Sequence, residues 1–181
     1  GGHGYVEDFG MSQFVRDSRI AMIYEGTNGI QAIDLVGRKL IADGGQHTIR
    51  FLGKLKKFAD EKTANDCFNA EFLAAFKSAV TDLETALTHF MKNGIEDPET
   101  VLTGATDFLH LFVHVILGYM WCKMARKAYI QAEKENDSEF YRSKLVTGKF
   151  YINHILPETQ LRLKRLLASK SIVMGLANED F

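Results

Sequence analysis

Cysteine and proline are almost missing from this chain: two of each in 181 residues. Cys67 and Cys122 lie far apart and have no metal-ligand spacing, which argues against a disulfide framework. They read as free thiols of a reducing, cytoplasmic setting, and no metal site is expected. An excess of charge is lacking too, since 22 Lys and Arg stand against 23 Asp and Glu, a net charge of −1. No global field therefore draws the chain to nucleic acid or to an anionic membrane. Signal peptide, internal repeat, low-complexity tract and convincing strand are all absent. An initiating methionine is missing as well. The chain opens inside a glycine-rich run, Gly1-Gly2-His3-Gly4, from which we expect the C-terminal part of a longer polypeptide.

What is present is helical periodicity in an ordinary globular composition, 46% hydrophobic and 25% charged. A first helix is expected from about Met11 to Ala21, with Met11, Phe14, Val15 and Ile20 on its apolar face. A second runs from about Thr27 to Ala42 and stops at Asp43-Gly44-Gly45. The main boundary is placed there, dividing residues 1–45 from residues 46–181. A third helix follows from about Gln46 to Ala64, with Ile49, Phe51, Leu52, Leu55 and Phe58 inward and Lys54, Lys56 and Lys57 on a solvated face. The fourth, about Asn69 to Met91, repeats Phe72, Phe76, Val80, Leu83, Leu87 and Phe90 at spacings of three or four.

Pro98 opens the fifth and longest helix, to about Lys134. It is apolar on most sides, as suits a buried central helix, and its apolar centre reads as too short for a membrane span. His110 and His114 share one face at i, i+4, a metal-ligand geometry, but H-E-x-x-H is absent and core packing is the reading adopted. The sixth helix, about Ser138 to Ser169, should kink or split beside Pro157, with Arg162, Lys164 and Arg165 on its wet face. The whole is expected to be all-α, with residues 46–181 forming a roughly four-helix bundle.

The stretch that carries chemistry is Arg16 to Gln31. A tight polar turn, Glu25-Gly26-Thr27-Asn28-Gly29, joins two helices. Glu25 is a lone carboxylate at that joint, next to backbone N–H groups that no helix bond satisfies. Thr27 or Asn28 can cap the second helix, and the flanking glycines let another molecule approach the backbone. Taken locally, a solvent-facing cap explains the same residues.

Three motifs in order, Gly1-Gly2-His3-Gly4-Tyr5, Arg16-Asp17 and Ile23-Tyr24-Glu25-Gly26-Thr27-Asn28-Gly29-Ile30-Gln31, resemble the C-terminal catalytic segment of acyl-CoA dehydrogenases. The continuation, Gln31-Ala32-Ile33-Asp34-Leu35-Val36-Gly37-Arg38-Lys39-Leu40 with a helical tail, is most similar to the larger subgroup that includes 3-methylmercaptopropionyl-CoA dehydrogenase.

The resemblance implies a FAD-dependent oxidation of the Cα–Cβ bond of an acyl-CoA. It makes Glu25 the catalytic base, Gly26 a substrate contact, and Gly1, Gly2, Thr27, Asn28 and Gly29 cofactor contacts. It also implies reoxidation by electron-transferring flavoprotein and a homo-oligomer. Most of the flavin site would lie upstream, so this piece alone is expected to be inactive and not to retain FAD. Two departures stand out: Gly10 replaces a proline found in many relatives, and Gly29 replaces a side-chain amide found in some. The alternative is a non-enzymatic helical module for oligomerisation or partner docking. A DNA-protecting relative is disfavoured by the lack of a basic patch.

Overall fold

Helix follows helix along the chain in the computed structural model, which describes residues 1–24, 28–94, 96–132, 138–168, 170–177 and 179. The order is α1 (Ser12–Ile23), α2 (Asn28–Asp34), α3 (Gln46–Asp60), α4 (Asp66–Phe68), α5 (Ala74–Asn93), α6 (Pro98–Ala132), α7 (Ser138–Phe150), α8 (Glu158–Leu166) and α9 (Lys170–Val173). No strand occurs among the described residues. Among the described residues three π-helical turns interrupt the pattern. Leu35–Lys39 extends α2, Asn69–Leu73 joins α4 to α5, and Tyr151–Ile155 ends α7.

Helix α6 is the axis, with α2, α5, α7 and α8 packed along it. Its inner side carries Phe108, Leu111, Val115 and Cys122, all fully buried. Phe68, Phe72 and Phe76 recur every four residues and face the same core. Burying a side chain of that size contributes about 1.5–3 kcal/mol. Edge and tilted contacts link the rings: Phe58 meets Tyr119 edge-on at 4.8 Å between centroids, and Phe90 meets Phe108 at 5.1 Å. Glycine sets the closeness of approach. A Cβ on Gly118 would meet Leu156 at 3.0 Å, and one on Gly148 would meet Phe72 at 3.1 Å.

The π turn at Tyr151–Ile155 explains how the chain passes Pro157. The Leu156 N–H donates to the Tyr151 carbonyl at 2.8 Å, five residues back, and Pro157 then caps α8, where it has no N–H to leave unpaired. The expected split beside Pro157 is therefore present.

Several expectations need correction. The apolar residues expected on the first helix, Met11, Phe14, Val15 and Ile20, are exposed, because among the described residues α1 makes no extended contact with another helix. Helix α3 ends at Asp60, where Thr63 and Asn65 take over the backbone N–H groups: the Asn65 side chain accepts from Phe68 N–H at 2.8 Å. Ile49 is exposed rather than inward.

Helix α6 is long and apolar enough to cross a membrane by length and composition, with a mean hydropathy of 1.5 over 18 residues. It is not too short, as its centre suggested; its inner side is instead sealed inside the bundle. His110 is exposed while His114 is partly buried, so the two histidines do not share one core position.

Candidate functional site

Residues 1–24 approach the expected joint in an open, irregular path. Gly2–Gly4 and Glu7–Phe9 form single 3-10 turns, and Gly10 ends the second at φ 66°, a left-handed conformation that suits glycine. The Arg16 guanidinium holds Glu7 at 3.1 Å and Gln13 at 2.8 Å. The Ser12 hydroxyl, with Arg16 beside it, keeps the Glu7 carboxyl below its ordinary range. Helix α1 then runs to Ile23, and Tyr24 turns extended at φ −75°, ψ 132°, its N–H donating to Ile20.

Glu25, Gly26 and Thr27, the expected base, substrate contact and first cofactor contact of the joint, lie outside the described residues. The chain resumes at Asn28, the first residue of α2. Asn28 and Gly29 are exposed there, as are Gly1 and Gly2 at the start of the chain. A Cβ built on Gly1, Gly2 or Gly29 would meet nothing within 4 Å. This chain therefore leaves free space in front of the described glycine candidates, with Asn28 exposed beside Gly29, which suits a group approaching the backbone closely. Those donors are backbone N–H groups and one side-chain amide.

Helix α2 is anchored behind that open side. Ala32 is completely buried, and Val36 in the following π turn belongs to the same core as the bundle. Asp34 binds Arg38 at 2.5 Å and Lys39 at 3.0 Å, and these bonds, Arg38's first, lower its pKa to about 2. Helix α2 is thus held on its inner side by α6 and the bundle core.

The bundle holds polar features that sequence reasoning missed. Arg162, read as part of a wet face, reaches Asp107 at 3.0 Å and Glu158 at 3.5 Å. Glu158 lies 3.5 Å from His114 Nε2, so a polar chain, charged at Asp107, Arg162 and Glu158, ties α8 to α6. The i, i+4 spacing of Glu158 and Arg162 was the available signal. Burial lowers the His114 pKa, against the opposing pull of Glu158. Lys56, from the basic cluster, is engaged by Glu84 at 2.8 Å. Cys122 is buried, its thiol pKa raised to about 12, whereas Cys67 is exposed.

A recess of about 310 Å³ beside Arg126 is lined by Thr63, Asn65, Phe68 and Tyr129. The Arg126 guanidinium already lies over Phe58 and bonds Glu61 through its side chain and carbonyl. No group of three or more His, Cys, Asp or Glu able to hold a metal occurs among the described residues.

Comparison with known proteins separates the chain into two matches. Residues 51–177 match the family described as acetyl-CoA dehydrogenase C-terminal like, and residues 1–41 match the acyl-CoA dehydrogenase C-terminal domain. The chain is 31% identical to the 3-methylmercaptopropionyl-CoA dehydrogenase of Ruegeria pomeroyi, over 92% of this chain and 28% of that protein. It is 28% identical to a broad-specificity linear acyl-CoA dehydrogenase of Mycobacterium tuberculosis, over 87% of this chain and 27% of that protein. A butyryl-CoA dehydrogenase of Syntrophomonas wolfei is 31% identical over 87% of this chain and 26% of its own length. The chain thus spans little more than a quarter of the length of these curated relatives.

Proposed function

The chain belongs to the acyl-CoA dehydrogenase C-terminal family, and from that premise we propose that it is the C-terminal part of a flavin-dependent acyl-CoA dehydrogenase in which Glu25 is the catalytic base. Residues 1–45 complete the dehydrogenase's helical domain and residues 46–181 form an additional helical bundle. The two family matches, which meet between residues 41 and 51, support that division. The observation that carries the reading is the joint itself: α1 ends at Ile23, α2 begins at Asn28, and α2 is fixed from behind by the core.

In this reading Glu25 takes the α-proton of the acyl thioester as the Cα–H bond breaks. FAD, when bound, would supply the hydride acceptor for the β-hydrogen, with a 2-enoyl-CoA as the product. The carboxylate must be ionised before substrate arrives and dry enough afterwards for its pKa to rise. Gly26 lets the thioester approach the backbone next to the base. Gly1, Gly2, Thr27, Asn28 and Gly29 hold the cofactor through backbone N–H groups and the Asn28 amide. Stabilisation of the developing enolate falls to hydrogen-bond donors at the thioester oxygen. Electron-transferring flavoprotein is the electron acceptor, and the enzyme is a cytoplasmic homo-oligomer.

The test is anaerobic mixing of the intact enzyme with short, branched, long and aryl acyl-CoA. Bleaching of the yellow flavin with formation of a 2-enoyl-CoA supports the reading; an unbleached flavin across the whole panel contradicts it. A second reading, a helical oligomerisation or partner-docking module, is favoured by the many exposed apolar side chains. Light scattering on residues 46–181 separates the two: a stable oligomer favours the module, and a monomer favours a cover for an enzyme core.

A further inference from the structure

Helix α6 carries two apolar stripes. The inner one, including Leu111, Val115, Gly118 and Cys122, is buried in the bundle. Two residues after each of these comes a member of the outer one: Val113, Leu117, Met120 and Met124. Two steps of about 100° place the outer stripe almost opposite the core. These four side chains are 41–45% exposed. Their 4-3-4 spacing is that of a seam into which another helix packs.

The occupant follows from how the chain is tied together. Helix α2 belongs to the segment that matches the dehydrogenase domain, and it packs directly on α6. Its outward residues Ile30 and Ile33 are exposed, as are Phe14, Ile20 and Ile23 of α1. The relatives are more than three times as long as the part this chain covers. The bulk of such an enzyme is therefore tethered beside α6. Four half-exposed side chains are too few for free association, which takes about 800 Å² per partner. They suffice when the partner is joined covalently and its effective concentration is high.

We propose that the outer stripe of α6 is a docking face for the dehydrogenase body of the same polypeptide, which covers it together with α1 and the free side of α2. This rests on the functional reading above. The test uses Met120→Cys in a Cys67→Ser background, with Lys57→Cys as an exposed reference on α3. Maleimide alkylation is followed by mass spectrometry of the peptide that carries the new thiol, in the 181-residue chain and in the intact enzyme.

Alkylation at position 120 should be slower in the intact enzyme by on the order of tenfold or more, at every dilution, because access would require local opening. Position 57 should react equally in both. Equal reaction at position 120 in the two proteins overturns the proposal. Protection lost on dilution to the monomer also overturns it, because it assigns the face to a second copy. Flavin bleaching by acyl-CoA in the same preparation reports on the functional reading separately. An enzyme that bleaches yet reacts freely at position 120 sinks the docking face alone.

Discussion

The Thr159 hydroxyl donates to Asp82 Oδ2 at 2.7 Å, across the interface of α8 and α5. Thr159 is almost fully buried, and burial raises the Asp82 pKa. Replacing the hydroxyl by a methyl leaves the carboxyl without its partner, a loss of about 1–3 kcal/mol. Thr159→Val should therefore lower the urea midpoint without changing the m-value, and an unchanged midpoint would deny the bond any role.

His114 makes stability depend on pH. Burial lowers its folded pKa below the ordinary histidine value of 6.5. The unfolded chain then takes up the proton first as pH falls. The stability contributed by neutral His114 is fully present above pH 6.5 and is lost as pH falls from there through the folded pKa. His114→Gln should flatten the pH dependence of the thermal midpoint between about pH 7 and pH 5. An unaltered slope would show that the imidazole is not the titrating group.

Two glycines separate packing from propensity. A Cβ on Gly118 would lie 3.0 Å from Leu156, tighter than ordinary contact, and 3.5 Å from Phe76, so Gly118→Val overpacks the core and should cost about 1–3 kcal/mol. Gly53 lies within α3 with open space before its Cα, so Gly53→Ala should stabilise by about 0.5–1 kcal/mol. Chemical denaturation of the two variants should move in opposite directions.

The long elements were legible because their apolar residues recur at helical spacing. Phe72 of the π turn Asn69–Leu73 and Phe76, Leu83 and Phe90 of α5 all reached the core. The π turns were not legible, because one inserted residue in a helix leaves no mark on periodicity over so short a span. The outward stripe of α6 was hidden for a different reason. A helix apolar all round looks buried all round, and only packing shows which side has no neighbour. The wet reading of Arg162 failed because its partner Asp107 lies 55 positions away. At the joint, the motif proposes the residues, and the described structure reaches only their flanks, Tyr24 and Asn28.

The 181-residue chain should not hold FAD. Its described cofactor candidates offer backbone N–H groups and one amide, all exposed, with no enclosing wall among the described residues. A chain purified with excess FAD should be colourless after gel filtration. A stoichiometric yellow complex would place a complete flavin site within these residues.

The most direct test is solvent deuterium exchange at the acyl-CoA α-carbon, catalysed by the intact enzyme carrying Glu25→Gln. The substitution keeps the shape of the side chain and removes its basicity. The account predicts bound flavin at full occupancy, with α-proton exchange and flavin bleaching reduced by about 10²–10⁴-fold or more. Exchange at the wild-type rate would contradict it, and the base would have to be sought elsewhere.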